Sequence, residues 1–380
     1  MTGFDLQRLA RVDDHLRRSY IDPGKIASCD VLVARHGEVA HRSVLGTASD
    51  DTIWRLYSMT KPITGVALLT LYEQGYFQLS DPVHRFIPSW RDVRVREGDQ
   101  LVAPHRPPSI RDVMMHTSGI GYAAGNADLS IEGGLPRVPW KTLEELADGV
   151  VESPLRFQPG TRWLYSFGMD VCARLVEVIS GVPFDEYLRT VLFEPLGMVD
   201  TDFYVPESKR HRFAPLHARN RRKELVELQG QAYDTKPTLL NGGGGLVGTT
   251  ADYFRFAQML CNGGELDGVR VLGRKTVELM ATNHLPGGGQ LRDLAVPGGY
   301  GEVGFDGMGF GLTVAVGLGM AETQVIGSPG EFMWGGAAST IFWVDPVEDL
   351  VCVFMTQLLP SGTFNFRGQL KSIVYPALVE

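Results

Sequence analysis

Extended apolar segments lie at both ends of this chain, and helical patterns fill the region between them. Residues 31–42 read as a β-hairpin preceded by an amphipathic helix over about residues 4–20. Residues 339–357 read as a second hairpin, rich in β-branched and aromatic residues, followed by a closing helix over about residues 368–378. Strands at the two ends of a chain can pair in one sheet. The sequence therefore predicts a single antiparallel sheet built from both termini.

The region between the hairpins is predicted to be mainly helical. Apolar residues recur there at helical spacing and are followed by stop signals, which places helices at residues 111–115, 143–151, 169–179, 184–193 and 251–261. We therefore predict an α+β fold, an antiparallel sheet flanked by helices with an inserted, mainly helical domain. The sheet domain comprises residues 1–80 and 265–380, and the insertion comprises residues 81–264. The cleft between the two domains is the default position for a functional site.

Charge and cysteine content exclude several classes of protein. The net charge of −8 argues against a nucleic-acid binder, because affinity for phosphate comes mainly from an excess of Lys and Arg. The cysteines are widely separated and show no C-x-x-C pairing, and the nine histidines show no metal-ligand spacing. We therefore predict no metal site, no other cofactor and no disulfide framework.

The N-terminal residues are charged and lack the apolar core of a secretion signal. No apolar run elsewhere is long enough to cross a bilayer. The sequence therefore predicts an unexported, cytoplasmic protein that does not bind membranes. Its oligomeric state is left open.

The tetrapeptide Ser58-Met59-Thr60-Lys61 is the first candidate for chemistry. It follows an apparently extended segment over residues 51–57 and begins a helical pattern, so the Ser58 and Lys61 side chains should share one face of the first helical turn. S-x-x-K occurs by chance about once in a chain of this size. Among the eight lysines, however, only Lys61 has a serine three residues earlier. A buried lysine beside a helix N-terminus loses its proton more easily, which would allow it to activate Ser58.

Two further clusters could complete such a site. Tyr165 lies in a turn-rich stretch that leads directly into the helix predicted from residue 169. Gly335 and Gly336 interrupt a predicted strand, and glycines in a strand usually mark the close approach of a ligand or of another backbone. The Ala337 N–H that follows them is a candidate donor to an oxyanion, together with the Ser58 N–H.

In this order along the chain, the three clusters resemble the penicillin-recognising serine hydrolases, and most closely the class C β-lactamase-like carboxylesterases of family VIII. The resemblance spans nearly the whole chain. It rests on Ser58-x-x-Lys61, on the stretches at residues 116–119, 159–166 and 242–252, and on Trp334-Gly335-Gly336. Each motif alone is weak evidence, whereas the ordered set is strong evidence. The resemblance implies the β-lactamase/transpeptidase-like fold.

The resemblance also implies roles for three side chains. Ser58 would be the acylated nucleophile, Lys61 its hydrogen-bonded partner, and Tyr165 the general base that takes the serine proton and returns it to the leaving alcohol. Lys61 is expected to lower the pKa of Tyr165, and the two groups would titrate as a coupled pair. The sequence leaves open which of the two is the formal base. His116 is expected to be structural.

Departures from the class C β-lactamase pattern indicate the substrate. Those enzymes carry Lys-Thr-Gly where this chain has Trp334-Gly335-Gly336, and Tyr-x-Asn where it has Tyr165-Ser166-Phe167. Trp334 and Phe167 are expected to offer an apolar wall, with Gly335 and Gly336, in place of groups that hold a β-lactam. A buried carboxylate without a partner costs several kcal/mol, whereas apolar groups gain roughly 25 cal/mol per Å² buried. We therefore predict a carboxylesterase that acts on neutral short- to medium-chain esters.

Three other functions remain compatible with these residues. An acyltransferase or transesterase would pass the acyl group to an alcohol, and a weak β-lactamase or a D-amino-acid peptidase would use the same Ser58, Lys61 and Tyr165. A non-catalytic binding module is disfavoured because the three residues are intact. A histidine-based hydrolase is also disfavoured, because the chain has no G-x-S-x-G motif.

Overall fold

A seven-stranded antiparallel sheet joins the two ends of the chain. The computed structural model describes residues 2–122, 131–132, 135–136, 138–230 and 232–379. In chain order the strands of this sheet are β1 (Ser28–Arg35), β2 (Glu38–Gly46), β3 (Met308–Phe310), β4 (Ala315–Gly317), β5 (Phe332–Gly335), β6 (Ile341–Asp345) and β7 (Leu350–Met355).

The strand order is β3-β4-β5-β6-β7-β1-β2. The N-terminal strand β1 pairs with the C-terminal strand β7, with Val33 opposite Cys352. Strands β1, β6 and β7 are buried along their whole length, because both faces of the sheet are covered at its centre. The prediction of one antiparallel sheet built from both termini is confirmed.

Helices from both ends of the chain pack together beside the sheet. The N-terminal segments Leu6–Leu9 and Arg11–Leu16, with the π-helical turn Arg17–Ile21, contact the C-terminal helix Phe366–Val374. The last turn, Tyr375–Ala377, is a 3₁₀ helix. The closing helix thus begins two residues before its predicted start.

The central helix Thr60–Glu73 is the longest in the described structure, and it is buried from Thr60 to Leu71. It packs against helix Gly168–Ser180. Other helices before residue 265 are Ile110–Met114, Leu143–Gly149, Phe184–Leu188, Glu194–Leu196 and Thr250–Cys261, with a π-helical turn at Arg189–Phe193 and 3₁₀ turns at Tyr57–Met59, Val83–Arg85, Pro88–Trp90 and Glu207–Arg212. The later ones are Arg274–Met280, Leu291–Leu294 and Met320–Thr323, with a 3₁₀ turn at Pro286–Gly288. Within the described ranges, none of the helices has the length and apolar character needed to cross a membrane.

Small sheets tie the loops together. Trp54–Arg55 pairs with Val247–Gly248, Val95–Glu97 with Gln100–Val102, Ile131–Glu132 with Leu135–Pro136, and Glu265–Leu266 with Val269–Arg270. A three-stranded sheet combines Leu216–Arg219, Leu225–Leu228 and Leu358–Leu359. The pairing at Trp54–Arg55 connects the strand before Ser58 to the glycine-rich segment that precedes Val247.

Helix Thr250–Cys261 packs on the sheet although the sequence places it in the inserted region. It contacts β6, β7 and β1, and the ring centroids of Tyr253 and Phe342 are 5.1 Å apart. The chain thus returns to the sheet before residue 265. The division into residues 1–80 with 265–380 and residues 81–264 stays a proposal.

Candidate active site

Ser58 lies in a strained turn between a strand and the central helix. The 3₁₀ turn Tyr57–Met59 follows strand Trp54–Arg55, and the α-helix begins at Thr60. Tyr57 has a φ of 46°, which is unfavourable for a bulky side chain and marks stored backbone strain. The extended conformation predicted through residue 57 is therefore wrong at its end, because the chain turns one residue before Ser58.

Lys61 is buried against Ser58. Its side chain is 1% exposed, and Nζ donates hydrogen bonds to Ser58 Oγ at 3.2 Å and to the Gly243 carbonyl at 2.5 Å. Burial lowers the pKa of Lys61 from 10.5 to about 8, and the negative charges of Asp170 and Glu302 oppose that shift. A substantial fraction of neutral amine is therefore present at mildly alkaline pH.

The glycine-rich turn that holds Lys61 also holds a buried acid. The Gly243 N–H donates to Asp170 Oδ1 at 3.0 Å, while the carbonyl of the same residue accepts from Lys61. A Cβ at Gly243 would lie 2.6 Å from Asp170 Oδ2, so a side chain cannot be placed there without displacing the acid. The sequence predicts a tight turn near the cleft in this stretch. The structure adds the backbone atoms that contact Lys61.

The ring of Tyr165 lies against the Lys61 amine. Its ring centroid is 4.5 Å from Lys61 Nζ, and its hydroxyl accepts a hydrogen bond from Trp334 Nε1 at 3.2 Å. Burial raises the pKa of Tyr165 well above 10.0, and neighbouring Tyr122 and Glu302 raise it further, although a hydrogen bond with Ser58 opposes the shift. The net shift is opposite to the lowering expected from Lys61, because loss of solvent is its largest cause. Tyr165 is therefore a neutral phenol at ordinary pH.

The end of β5 approaches the Ser58 turn. A Cβ at Gly336 would lie 2.4 Å from the Leu56 carbonyl oxygen, so this glycine permits the strand and the turn to meet. The Gly336 N–H donates to the Thr340 carbonyl at 2.8 Å. By contrast, the Ala337 N–H donates to no other residue in the described part of the chain. Its orphaned donor fits the predicted oxyanion role, which stays a proposal.

Trp334 and Phe167 lie in the interior around Tyr165, with exposed fractions of 0% and 1%. The Trp334 ring packs against those of Tyr165 and Phe310, with centroid distances of 5.5 Å in both cases. Phe167 precedes helix Gly168–Ser180, and its ring centroid lies 4.8 Å from that of Tyr122. Both residues shape the apolar surroundings of Tyr165. Their contact with substrate, and that of Gly335 and Gly336, stays a prediction.

Two buried acids belong to this site although sequence reasoning missed them. Burial raises the pKa of Asp170 to about 6, and Lys61 opposes that shift. Burial also raises the pKa of Glu302 above its usual 4.5. The sequence contains a signal for Asp170, because it is an acid within the apolar stripe of a helix that begins just after Tyr165. The sequence contains no such signal for Glu302, because this residue follows a glycine-rich stretch without periodicity.

His116 supports the tyrosine segment. Its Nδ1 lies 3.0 Å from Ser166 Oγ, and its ring centroid is 4.9 Å from that of Tyr165. Burial and nearby Lys61 hold the pKa of His116 well below its usual 6.5, so the ring is neutral. These contacts fit the structural role that the sequence suggests.

Comparison with known proteins finds similar sequences along most of this chain. The Beta-lactamase family model matches residues 14–371. Esterase EstB of Burkholderia gladioli is 30% identical over 387 residues, which cover 93% of this chain and 91% of EstB. Protein Rv1367c of Mycobacterium tuberculosis is 32% identical over 321 residues, covering 82% of this chain and 79% of that protein.

Solved structures show the same fold. EstCE1, described as a hydrolase with promiscuous acyltransferase activity, superposes with a TM-score of 0.81 at 24% identity, covering 97% of this chain and 99% of EstCE1. A penicillin-binding protein homologue from Pyrococcus abyssi superposes with a TM-score of 0.71 at 19% identity, covering 98% of this chain and 77% of that one. The predicted resemblance and the β-lactamase/transpeptidase-like fold are confirmed.

Proposed function

The chain belongs to the beta-lactamase family of serine hydrolases, and we propose that it is a carboxylesterase that cleaves neutral short- to medium-chain esters through an acyl group on Ser58. The observation that carries the proposal is the hydrogen bond between Lys61 Nζ and Ser58 Oγ. Similarity to Esterase EstB across nearly the whole chain supports the choice of ester bonds.

In the first step, Ser58 Oγ attacks the ester carbonyl carbon while its proton passes to the neutral amine of Lys61. Lys61 is favoured over Tyr165 as the acceptor because its pKa is lowered to about 8, whereas that of Tyr165 is raised well above 10.0. The negative charge formed on the carbonyl oxygen is stabilised by the N–H groups of Ser58 and Ala337.

The tetrahedral intermediate then collapses and expels the alcohol. Tyr165, whose hydroxyl has a hydrogen bond with Ser58, donates its phenolic proton to the leaving oxygen and recovers a proton from Lys61. Deacylation uses the same groups in reverse. Water attacks the acyl-enzyme and gives its proton to Lys61 and Tyr165. The acid is released and Ser58 is restored.

The charges around Ser58 favour a neutral substrate. Among the described residues, the cations that act on the buried acids of the site are Lys61 and Arg367. Lys61 is hydrogen-bonded to Ser58 and Gly243, and the Arg367 Nη atoms donate to the carbonyls of Glu302 and Trp334. Neither cation is therefore positioned to pair with the carboxylate of a β-lactam. Burying that carboxylate without a partner would cost several kcal/mol.

The proposal is tested by turnover of p-nitrophenyl acetate, butyrate and longer esters, with nitrocefin measured in parallel. We expect butyrate hydrolysis to exceed nitrocefin hydrolysis, and Ser58→Ala to abolish ester cleavage while circular dichroism stays unchanged. Activity that survives in Ser58→Ala would refute the nucleophile. Faster turnover of nitrocefin than of butyrate would identify a β-lactamase instead.

Whether water or an alcohol accepts the acyl group is determined in the same assay by adding a primary alcohol to the butyrate reaction. An esterase releases butyric acid as its main product. If a butyryl ester of the added alcohol predominates, the protein is an acyltransferase, with the same use of Ser58, Lys61 and Tyr165.

A further inference from the structure

Tyr122 is a second tyrosine beside the catalytic residues, and the mechanism above does not use it. Its ring centroid lies 5.4 Å from that of Tyr165, with the two ring planes at 79°, and 5.9 Å from Lys61 Nζ. The side chains of Tyr122 and Tyr165 share a hydrogen bond. Tyr122 therefore lies next to both groups that exchange protons in the proposed reaction.

Aromatic neighbours hold the ring of Tyr122 in this position. It packs edge to face against Phe167, with ring centroids 4.8 Å apart. Phe167 is 1% exposed and directly precedes helix Gly168–Ser180, and Trp140 packs against it with a centroid distance of 5.7 Å. These contacts fix the orientation of the Tyr122 ring, and with it the position of the hydroxyl beside Tyr165.

Both tyrosines are neutral at ordinary pH. Burial raises the pKa of Tyr122 well above 10.0, as it does the pKa of Tyr165. A negative charge on Tyr122 would raise the pKa of Tyr165 further, but Tyr122 carries such a charge only at a far higher pH. At the pH of catalysis, the Tyr122 hydroxyl is therefore able to donate a hydrogen bond to the Tyr165 oxygen.

The Tyr165 oxygen needs donors at one step of the reaction. When Tyr165 gives its proton to the leaving alcohol, its oxygen becomes negative in a buried site, which is costly without hydrogen bonds. Trp334 Nε1 already donates to this oxygen at 3.2 Å. A phenolate oxygen accepts more than one hydrogen bond, and each is stronger when the acceptor is charged. A second donor would therefore favour proton transfer to the leaving group.

We infer that Tyr122 is a positioning residue for this proton transfer, in which its hydroxyl donates a hydrogen bond to the Tyr165 oxygen while Tyr165 protonates the leaving alcohol. The Tyr165 O–H bond breaks, and the proton passes to the leaving oxygen as the ester C–O bond breaks. Lys61 then returns a proton to Tyr165. The inference rests on the proposed esterase function and specifies the substrates as esters of aliphatic alcohols, because an alkoxide leaves readily only with a proton.

The test compares ethyl butyrate with p-nitrophenyl butyrate. Both esters give the same butyryl group on Ser58, but ethanol needs a proton as it leaves, whereas p-nitrophenoxide is a stable anion. The comparison uses kcat/KM, which covers the reaction only as far as acylation. In Tyr122→Phe, the loss of kcat/KM for ethyl butyrate should exceed the loss for p-nitrophenyl butyrate by about tenfold. Equal losses for the two esters, or no loss for either, would overturn the inference.

Tyr300→Phe is the matched control. The ring centroids of Tyr300 and Tyr165 are 6.0 Å apart, but the Tyr300 hydroxyl is hydrogen-bonded to Ser361 Oγ. The ratio of kcat/KM for the two esters should therefore stay as in wild type. A similar change of this ratio in Tyr300→Phe and Tyr122→Phe would show that any neighbouring phenol has the effect, and would overturn the assignment to Tyr122.

A double variant tests whether Tyr122 acts through Tyr165. It is assayed with phenyl butyrate, whose leaving group has intermediate basicity and keeps the rate measurable. Adding Tyr122→Phe to Tyr165→Phe should cause no further loss relative to p-nitrophenyl butyrate, because the oxygen that accepts the hydrogen bond is already absent. A further selective loss in the double variant would overturn the inference.

Failure of the proposed function would give a different result. In that case the wild type hydrolyses neither ester, or Ser58→Ala still hydrolyses both. The inference alone fails if hydrolysis of both esters depends on Ser58 but Tyr122→Phe shows no selective loss.

Discussion

Two lysines of this protein are buried to the same extent but have different partners. Lys61 and Lys371 are each 1% exposed. Lys371 Nζ contacts Glu331 Oε1 directly, and Tyr375 Oη lies 3.0 Å from the other oxygen of that acid. Lys61 contacts a hydroxyl and a backbone carbonyl, and it forms no ion pair with any acid in the described ranges.

The position of the nearest acid explains the difference between the two amines. Burial lowers the pKa of both lysines, but Glu331 opposes the shift at Lys371 through a direct ion pair. Asp170 and Glu302 act on Lys61 only through space, and its pKa falls to about 8. We propose that the contact with a carboxylate keeps Lys371 structural, whereas the neutral oxygens around Lys61 allow it to act as a base.

The largest expected effect is on activity. Lys61→Met removes the proposed proton acceptor and should lower kcat/KM for p-nitrophenyl butyrate by at least about 10³-fold. Lys371→Met is the matched control and should stay within about threefold of wild type, because Lys371 touches no catalytic group. Steady-state kinetics of the two variants measure the contrast. Similar losses in both would show that burial and not the partner decides the role of each lysine.

The second-largest effect is on stability, and here Lys371→Met is expected to be more damaging than Lys61→Met. Lys371→Met leaves Glu331 buried without its cation and should reduce the free energy of unfolding by about 3–5 kcal/mol. Lys61→Met removes a cation that burial disfavours, so the Tm at pH 7 should equal or exceed that of wild type. Urea unfolding and thermal melts provide the values. A larger loss of stability in Lys61→Met than in Lys371→Met would contradict the comparison.

The smallest effect is a shift in the pH profile. Because the neutral amine of Lys61 is the active form in the proposed mechanism, kcat/KM should rise with pH to a plateau with a midpoint near 8. Asp170→Asn removes a charge that raises the pKa of Lys61, so the midpoint should move to lower pH. The asparagine keeps an oxygen for the Gly243 N–H, and Lys371→Met should leave the midpoint unchanged. If the midpoint did not shift in Asp170→Asn, the pH dependence of kcat/KM would not reflect the titration of Lys61.

The elements with long local patterns could be predicted from the sequence. Both hairpins and the helices Gly168–Ser180 and Thr250–Cys261 carry enough alternating or periodic apolar residues to define them. Strands β3 and β4 were missed because three residues each are too few to show alternation. The left-handed Tyr57 was missed because tertiary contacts impose its conformation against its local preference.

The same distinction applies to the site. Ser58 and Lys61 lie three residues apart, so their contact is encoded by helical spacing, and the structure places Nζ 3.2 Å from Oγ. Asp170, Glu302 and Gly243 reach Lys61 through the tertiary fold, which no local spacing encodes. The raised pKa of Tyr165 could not be predicted for the same reason, since it reflects burial by distant residues.

The most direct test of the account is mass spectrometry of the protein quenched within seconds of mixing with p-nitrophenyl butyrate. The account predicts that one butyryl group is added, that the peptide containing Ser58 carries it, and that the adduct is absent from Ser58→Ala and Lys61→Met. A butyryl group on another residue, or an unchanged adduct in Lys61→Met, would contradict the assignment of Ser58 as nucleophile and Lys61 as its base.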